Sequence, residues 1–214
     1  MKYTDIIKKL FAVSNPKGYK TEEVETVKKL CGGIPLVLEQ FYLNLGCSDE
    51  LLYLQDELIL PGKYSVFLDY QYLVFFNENQ GVCQAGIARS DIGKENPPVY
   101  VGYDNKKWIK TAETLSGFFT AMYGYQASLC LEYSSEAFYW ISEEDVQLIK
   151  HNFFKREEEL ENWLYFRVEL YENGSNGRIA LMYTGEDIQM MYAANNEEDF
   201  KEMQSILGNI GEII

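Results

Sequence analysis

The chain has only one histidine among its 214 residues, four cysteines and five prolines, and it has no uninterrupted apolar run near the ~20 residues that a membrane-spanning helix needs. Each scarcity excludes a class of chemistry. A histidine dyad or triad needs an imidazole beside a nucleophile, and the sole imidazole, His151, follows Lys150 at the end of a predicted helix, where a cation suits the macrodipole. A zinc site needs three or four nitrogen or sulfur ligands, commonly at close spacing; Cys31, Cys47, Cys83 and Cys130 lie far apart with no C-x-x-C pair. They read as reduced, mostly buried thiols, and neither a metal nor a cofactor is predicted. Glycine-rich phosphate loops and the G-x-S-x-G nucleophile elbow are also absent. Near the N-terminus the apolar stretch 6–13 is broken by Lys8 and Lys9, so no secretory leader is read and a cytoplasmic location is expected.

Cations are in short supply as well. The 19 Lys and Arg face 33 Asp and Glu, a net charge of −14, and this field repels nucleic-acid backbones and anionic lipid surfaces. Neither is expected as a direct partner. Residues 1–107 carry 12 basic and 14 acidic side chains and residues 108–214 carry 7 and 19, so the acidity belongs to the second half. Aromatic residues are abundant at 15%, with 17 Tyr and 12 Phe, and such rings suit sheet faces and recognition surfaces.

The periodicity predicts an α+β chain with a central, mostly antiparallel or mixed sheet flanked by helices. Thr4 and Asp5 cap a short first helix; a second begins at Thr21, with Glu22 and Glu23 in its first turn, and stops at Gly32-Gly33. Pro35 opens a third, with Leu38, Phe41, Tyr42 and Leu45 on one face. Strands are expected at 51–54, 58–60, 64–69, 72–77, 82–89 and 99–102, the nearly all-apolar 72–76 being central. Thr111 then caps a helix closed by Gly124, and Ser142 starts another with Asp145 in the capping-box place. Alternation of Leu164, Phe166, Val168 and Leu170 predicts a half-buried strand, which a 173–177 turn joins to a hairpin before a last helix at 197–207. A single domain of residues 1–214 is expected, with its core at about 21–126 and a C-terminal hairpin-and-helix extension at about 133–214 packed on it.

Acidic runs offer the main functional signal. Glu143, Glu144 and Asp145, and Glu157, Glu158 and Glu159, lie near the rings Tyr133, Tyr139 and Trp140, a mixture of acid and aromatic surface found at protein interfaces. These nine residues are the candidate partner-binding set. Helix starts also attract acids for electrostatic reasons, so the first run has a purely structural reading beside it.

Three segments within residues 21–126 carry a family resemblance. They are Gly32-Gly33-Ile34-Pro35 leading to Leu38, Phe41 and Tyr42; Phe75-Phe76-Asn77-Glu78-Asn79-Gln80-Gly81-Val82; and Pro97-Pro98-Val99-Tyr100-Val101, followed by Trp108. In order and content they resemble the SUKH superfamily, which includes bacterial immunity proteins and fungal regulators of cell-wall synthesis. The resemblance implies a non-enzymatic immunity protein that neutralises a polymorphic protein toxin, often a nuclease and hence basic. The alternative it implies is a cytosolic scaffold or regulator.

Overall fold

The computed structural model describes residues 2–64, 71–103, 107–135, 137–174 and 176–214. Helices α1 (Tyr3–Leu10), α2 (Thr21–Cys31) and α3 (Leu36–Asn44) precede strands β1 (Glu57–Leu58), β2 (Tyr72–Asn77), β3 (Gln84–Ala88), β4 (Val99–Tyr103) and β5 (Lys107–Ala112). Helix α4 (Leu115–Cys130) leads to β6 (Tyr133–Ser134), β7 (Tyr139–Trp140), α5 (Glu143–Asn152), β8 (Phe154–Lys155) and β9 (Leu160–Trp163). Then come β10 (Phe166–Glu172), β11 (Gly177–Thr184), β12 (Asp187–Ala194), α6 (Glu197–Leu207) and β13 (Glu212–Ile213). The fold is α+β with two antiparallel sheets, and the chain divides into two compact units: Val13–Phe119 with Asn162–Leu164, and Met1–Ala12, Thr120–Glu161 and Tyr165–Ile214.

The first unit holds a five-stranded sheet in the order β1-β2-β3-β4-β5. As its apolar run predicts, β2 is an interior strand with Leu73 to Phe76 buried, and Phe75 meets Phe118 and Phe119 edge-on at 5.4 and 5.8 Å. On the opposite face Trp108 lies against β3 and β4, and a Cβ added at Gly86 or Gly102 would come within 2.8 Å of the indole. Tyr72 stacks on that indole with centroids 4.1 Å apart. Only glycine at both positions leaves room for the ring.

Asp56 is the polar centre of this unit. It is buried; its Oδ2 accepts from Trp163 Nε1 at 3.0 Å and its Oδ1 from the Asn79 N–H at 3.3 Å. Trp163 is fully buried and edge-on to Phe76 and Phe118 at 6.1 and 6.2 Å. The 78–82 turn is tied by buried Glu78, which accepts from the N–H groups of Gln80 and Val82 at 3.0 and 2.9 Å. Gly81 supplies the left-handed conformation there, φ 75°.

The second unit is built on an eight-stranded sheet in which β13-β7-β12-β11-β10-β8 follow in order, with β6 also on β12 and β9 also on β10. One face is covered by α5 and α6 through Val146, Ile149, Met203 and Leu207, packed on Tyr171, Ile179, Leu181 and Tyr192. On the other face, Gly124 of α4 sits so close to Leu170 that an added Cβ would lie 2.7 Å from its Cδ1. Asn195 donates to the carbonyl of Leu10 at 3.0 Å, tying the end of α1 to the end of β12.

Several expectations are corrected. Residues 51–54 form no strand: Asp49–Leu51 is a single helical turn and Tyr53 is 90% exposed. The strand expected at 64–69 lies outside the described residues beyond Tyr64, which is buried. Thr111 does not cap a helix but lies buried in β5 with its hydroxyl unpartnered. The cap is Thr114, whose Oγ1 accepts from the Gly117 N–H at 3.1 Å, and α4 continues through Gly124 to Cys130 because packing against Leu170, not chain termination, explains that glycine. Leu164 lies in no strand; it and Tyr165 form the tight turn from β9 to β10, with φ of 52° and 67°. Cys130 is exposed and Cys47 half-buried, whereas Cys31 and Cys83 are buried.

Trp163→Phe keeps most of the ring and deletes the donor to a buried carboxylate, an interaction worth ~1.5–3 kcal/mol. Urea unfolding should therefore show a loss of stability of about 2 kcal/mol; a loss below ~0.5 kcal/mol, the size of an ordinary surface change, would show that the indole bond contributes little.

Candidate functional site

The nine candidate residues all lie in the eight-stranded unit, and the sheet separates them into three places. Tyr133 pairs with Ala194 at one end of β12 and its half-buried ring lies 6.5 Å from that of Phe200. Tyr139 pairs with Met190, four residues back along β12 or ~13 Å away. Its ring packs against Tyr192 at 6.3 Å, while the neighbouring Trp140 remains 38% exposed. Glu143 and Glu144 follow directly at the start of α5 and are exposed. Asp145 is occupied by the cap: its Oδ2 accepts from the Ser142 N–H at 2.9 Å, and its own N–H donates to Ser142 Oγ at 3.2 Å. The run 157–159 follows β8, four strand spacings from β7 or roughly 19 Å.

At the β8 edge most of the acid is neutralised internally. Arg156 holds Glu158 at 2.9 Å, Lys155 holds Glu159 at 2.7 Å, and Glu157 alone of the run is exposed. Behind them Glu169 is buried and receives Lys155 Nζ at 3.0 Å, the Tyr171 hydroxyl at 3.0 Å, the Tyr183 hydroxyl at 3.2 Å and the Arg167 guanidinium, which also lies over the Tyr183 ring. Burial alone would raise the Glu169 pKa; the bonds from Arg167, Lys155 and Tyr171 outweigh it and bring the carboxyl from its ordinary 4.5 down to about 2. A carboxylate with four donors and so low a pKa is a poor general base at neutral pH, and the cluster acts as an internal anchor. On the other face of the same strand Glu172 holds buried Arg178 at 3.0 Å, where burial lowers the guanidinium to about 10.

The β13 edge has the opposite character. From Thr111 to Ile149 the sequence contains no Lys or Arg, and from Ile179 to Ile214 only Lys201, which pairs with Glu197 at 2.6 Å. The edge nonetheless exposes apolar side chains: Phe138 at 37%, Trp140 at 38%, Ile213 at 71% and Ile214 at 57%. Trp140 stands directly opposite Glu212 in the β7–β13 register, so the two share a sheet face. Gly211, φ 75°, makes the turn that lays β13 on β7, where any Cβ would strike the Trp140 carbonyl at 2.6 Å. Phe138, Glu212, Ile213 and Ile214 were missed in the sequence reading, since nothing in a Gly-Glu-Ile-Ile end announces a partner strand.

Other features have less to offer a ligand. A cleft of about 710 Å³ lies where α2 meets α3, but of its cations Lys28 is held by Glu25 and Glu39, Lys94 by Asp91, and Arg89 donates to the Cys31 carbonyl. Burial pushes the Cys83 thiol up to about 12, well away from thiolate chemistry. His151 falls in the last turn of α5 beside Lys150. Among the described residues no group of three or more His, Cys, Asp and Glu is placed to hold a metal ion, and no helix is long and apolar enough to cross a membrane. Compared with known proteins, the chain matches no family model, no curated protein and no solved structure.

The Glu169 anchor carries a pH dependence of defined sign. Its folded pKa lies below the unfolded value, so its stabilisation is complete above about 4.5 and is lost as the pH falls toward about 2. Urea midpoints measured between these limits should fall less steeply for Glu169→Gln than for the parent; parallel curves would rule out Glu169 as a source of acid lability.

Proposed function

We propose that the chain is an immunity-type protein that acts in the cytoplasm by binding and neutralising a basic protein toxin, with the β13 edge of the eight-stranded sheet as its docking surface. The observation that carries this reading is the exposure of Phe138, Trp140, Ile213 and Ile214 beside Glu212, on a stretch of chain that runs on to Glu143 and Glu144 and has no Lys or Arg from Thr111 to Ile149. Clustered apolar side chains exposed in this way mark interaction sites, and the ring of Trp140 is the residue type most often found at energetic hot spots. The acids select the partner. A toxin that works on nucleic acid needs a basic surface, and an acidic edge both steers such a surface to itself and covers it. The resemblance of residues 21–126 to the SUKH superfamily supports the same reading independently of charge.

The test is complex formation with the product of the neighbouring toxin-like gene, followed across a salt series. The triple reversal of Glu143, Glu144 and Glu212 to Lys should slow association by about tenfold or more at low salt, with the difference shrinking as ionic strength rises. Trp140→Ser should act mainly on dissociation. Absence of a complex with any neighbouring toxin domain would remove the proposal; a complex indifferent to all these changes would move the docking surface elsewhere.

A further inference from the structure

The outermost strand of this edge has a backbone feature that side-chain exposure alone does not describe. The Ile214 N–H donates inward to the Phe138 carbonyl at 3.0 Å, and the register pairs Ile213 with Tyr139 and Glu212 with Trp140. In an antiparallel ladder successive residues point their N–H and C=O groups alternately toward and away from the neighbour. Residues 212 and 214 face β7; the N–H and C=O of Ile213 therefore face out. Among the described residues no strand lies beyond β13. Soluble proteins commonly guard such an edge with lysine, proline or a covering loop. Here Glu212, Ile213 and the following Ile214 include neither lysine nor proline, and both isoleucines are exposed.

We infer that the partner of this edge binds by strand addition, contributing an extended, lysine- or arginine-bearing segment that pairs with Ile213 and continues the sheet as a ninth strand. The inference rests on the docking surface proposed above and specifies how that surface is read. Strand addition takes its affinity from main-chain pairing and its specificity from alternate side chains. Phe138, Trp140 and Ile214 fall on one face by alternation and offer apolar contact, while Glu212 on that face, and Glu143 and Glu144 at the start of α5 a few residues on, disfavour an acidic segment and favour a basic one. The same charges argue against a second copy of this chain. Two such edges brought together would face acid with acid, with no lysine or arginine from the surrounding β7, β12 or β13 to compensate.

The experiment uses the full chain and a defined probe, the blocked octapeptide of alternating Lys and Val, with a control in which Pro replaces Val so that charge is kept and pairing is lost. Binding is followed by Trp fluorescence and by amide exchange. The inference requires that the Lys-Val peptide bind, that the Ile213 amide become protected, and that the Lys-Pro control bind at least tenfold more weakly. Ile213→Pro removes the outward donor at an edge position where proline is tolerated, and should weaken binding by about tenfold, whereas Ile213→Ala keeps the donor and should cost roughly threefold or less. Gly211→Ala, which forces β13 off β7, should reproduce the Ile213→Pro loss. Equal binding of the two peptides, or of Ile213→Pro and the parent, overturns strand addition, as does failure of the Lys-Val peptide to bind at low salt. The two readings separate on Glu212→Lys: if it still weakens the complex when Ile213→Pro does not, the docking surface stands and only the strand mode falls.

Discussion

The buried carboxylate of Asp56 is the constraint around which the five-stranded unit is arranged. A polar group taken out of water must be met by hydrogen-bond partners, and Asp56 receives a bond from the main chain at Asn79 and one from the indole of Trp163. The first fixes the loop between β2 and β3; the second fixes a tryptophan that arrives 107 residues later in the chain. Once the indole is oriented by that bond, its edges can meet Phe76 and Phe118, and the aromatic core of the unit closes around it. An apolar residue at position 56 would leave the indole N–H without this acceptor in a buried site. The hydrogen bond thus selects one orientation of a large ring where packing alone would tolerate others.

How much of this is legible in the sequence depends on the range of the interaction involved. Short-range chemistry is readable: the Ser142–Asp145 cap, the diglycine stop after α2, the start of α6, and the interior character of β2 all follow from neighbours within a few residues. The misreadings arise where a tertiary contact outranks a local preference. Gly124 looks like a helix end because glycine usually is one, yet Leu170, far along the chain, requires the missing Cβ. The turn at Leu164 and Tyr165 is invisible because left-handed geometry is expected of Gly or Asn, whereas here two bulky residues adopt it. Strand alternation fails in β10 for a related reason. Both its faces are covered, and Glu169 and Tyr171 are admitted to the interior as members of a hydrogen-bonded cluster.

The candidate site shows the same division. In sequence, the runs at 143–145 and 157–159 look alike, both acidic and both near rings. Their fates differ because Lys155, Arg156 and Arg167 pair with the second run, while among the described residues no ion pair engages Glu143, Glu144 or Asp145. Counting charges by segment finds the acid; the three-dimensional pairing decides which acids have been spent on the protein's own cations.

That contrast between the two edges of one sheet bears on what the surface is for. An edge strand left open threatens aggregation, and charge is the usual guard. At β8 the guard is a balanced set of ion pairs, which presents little net field to a partner. At β13 Glu212 stands beside exposed isoleucine and tryptophan, and under the proposed function such acid would repel another copy of the chain and attract a basic surface. Uniform acidity would serve solubility equally well if the apolar residues were buried, and exposed apolar residues without the acid would invite self-association. Their coincidence at one edge is the ground of the proposed docking surface: acid and exposed apolar side chains together would keep the strand from its own kind and favour a basic partner.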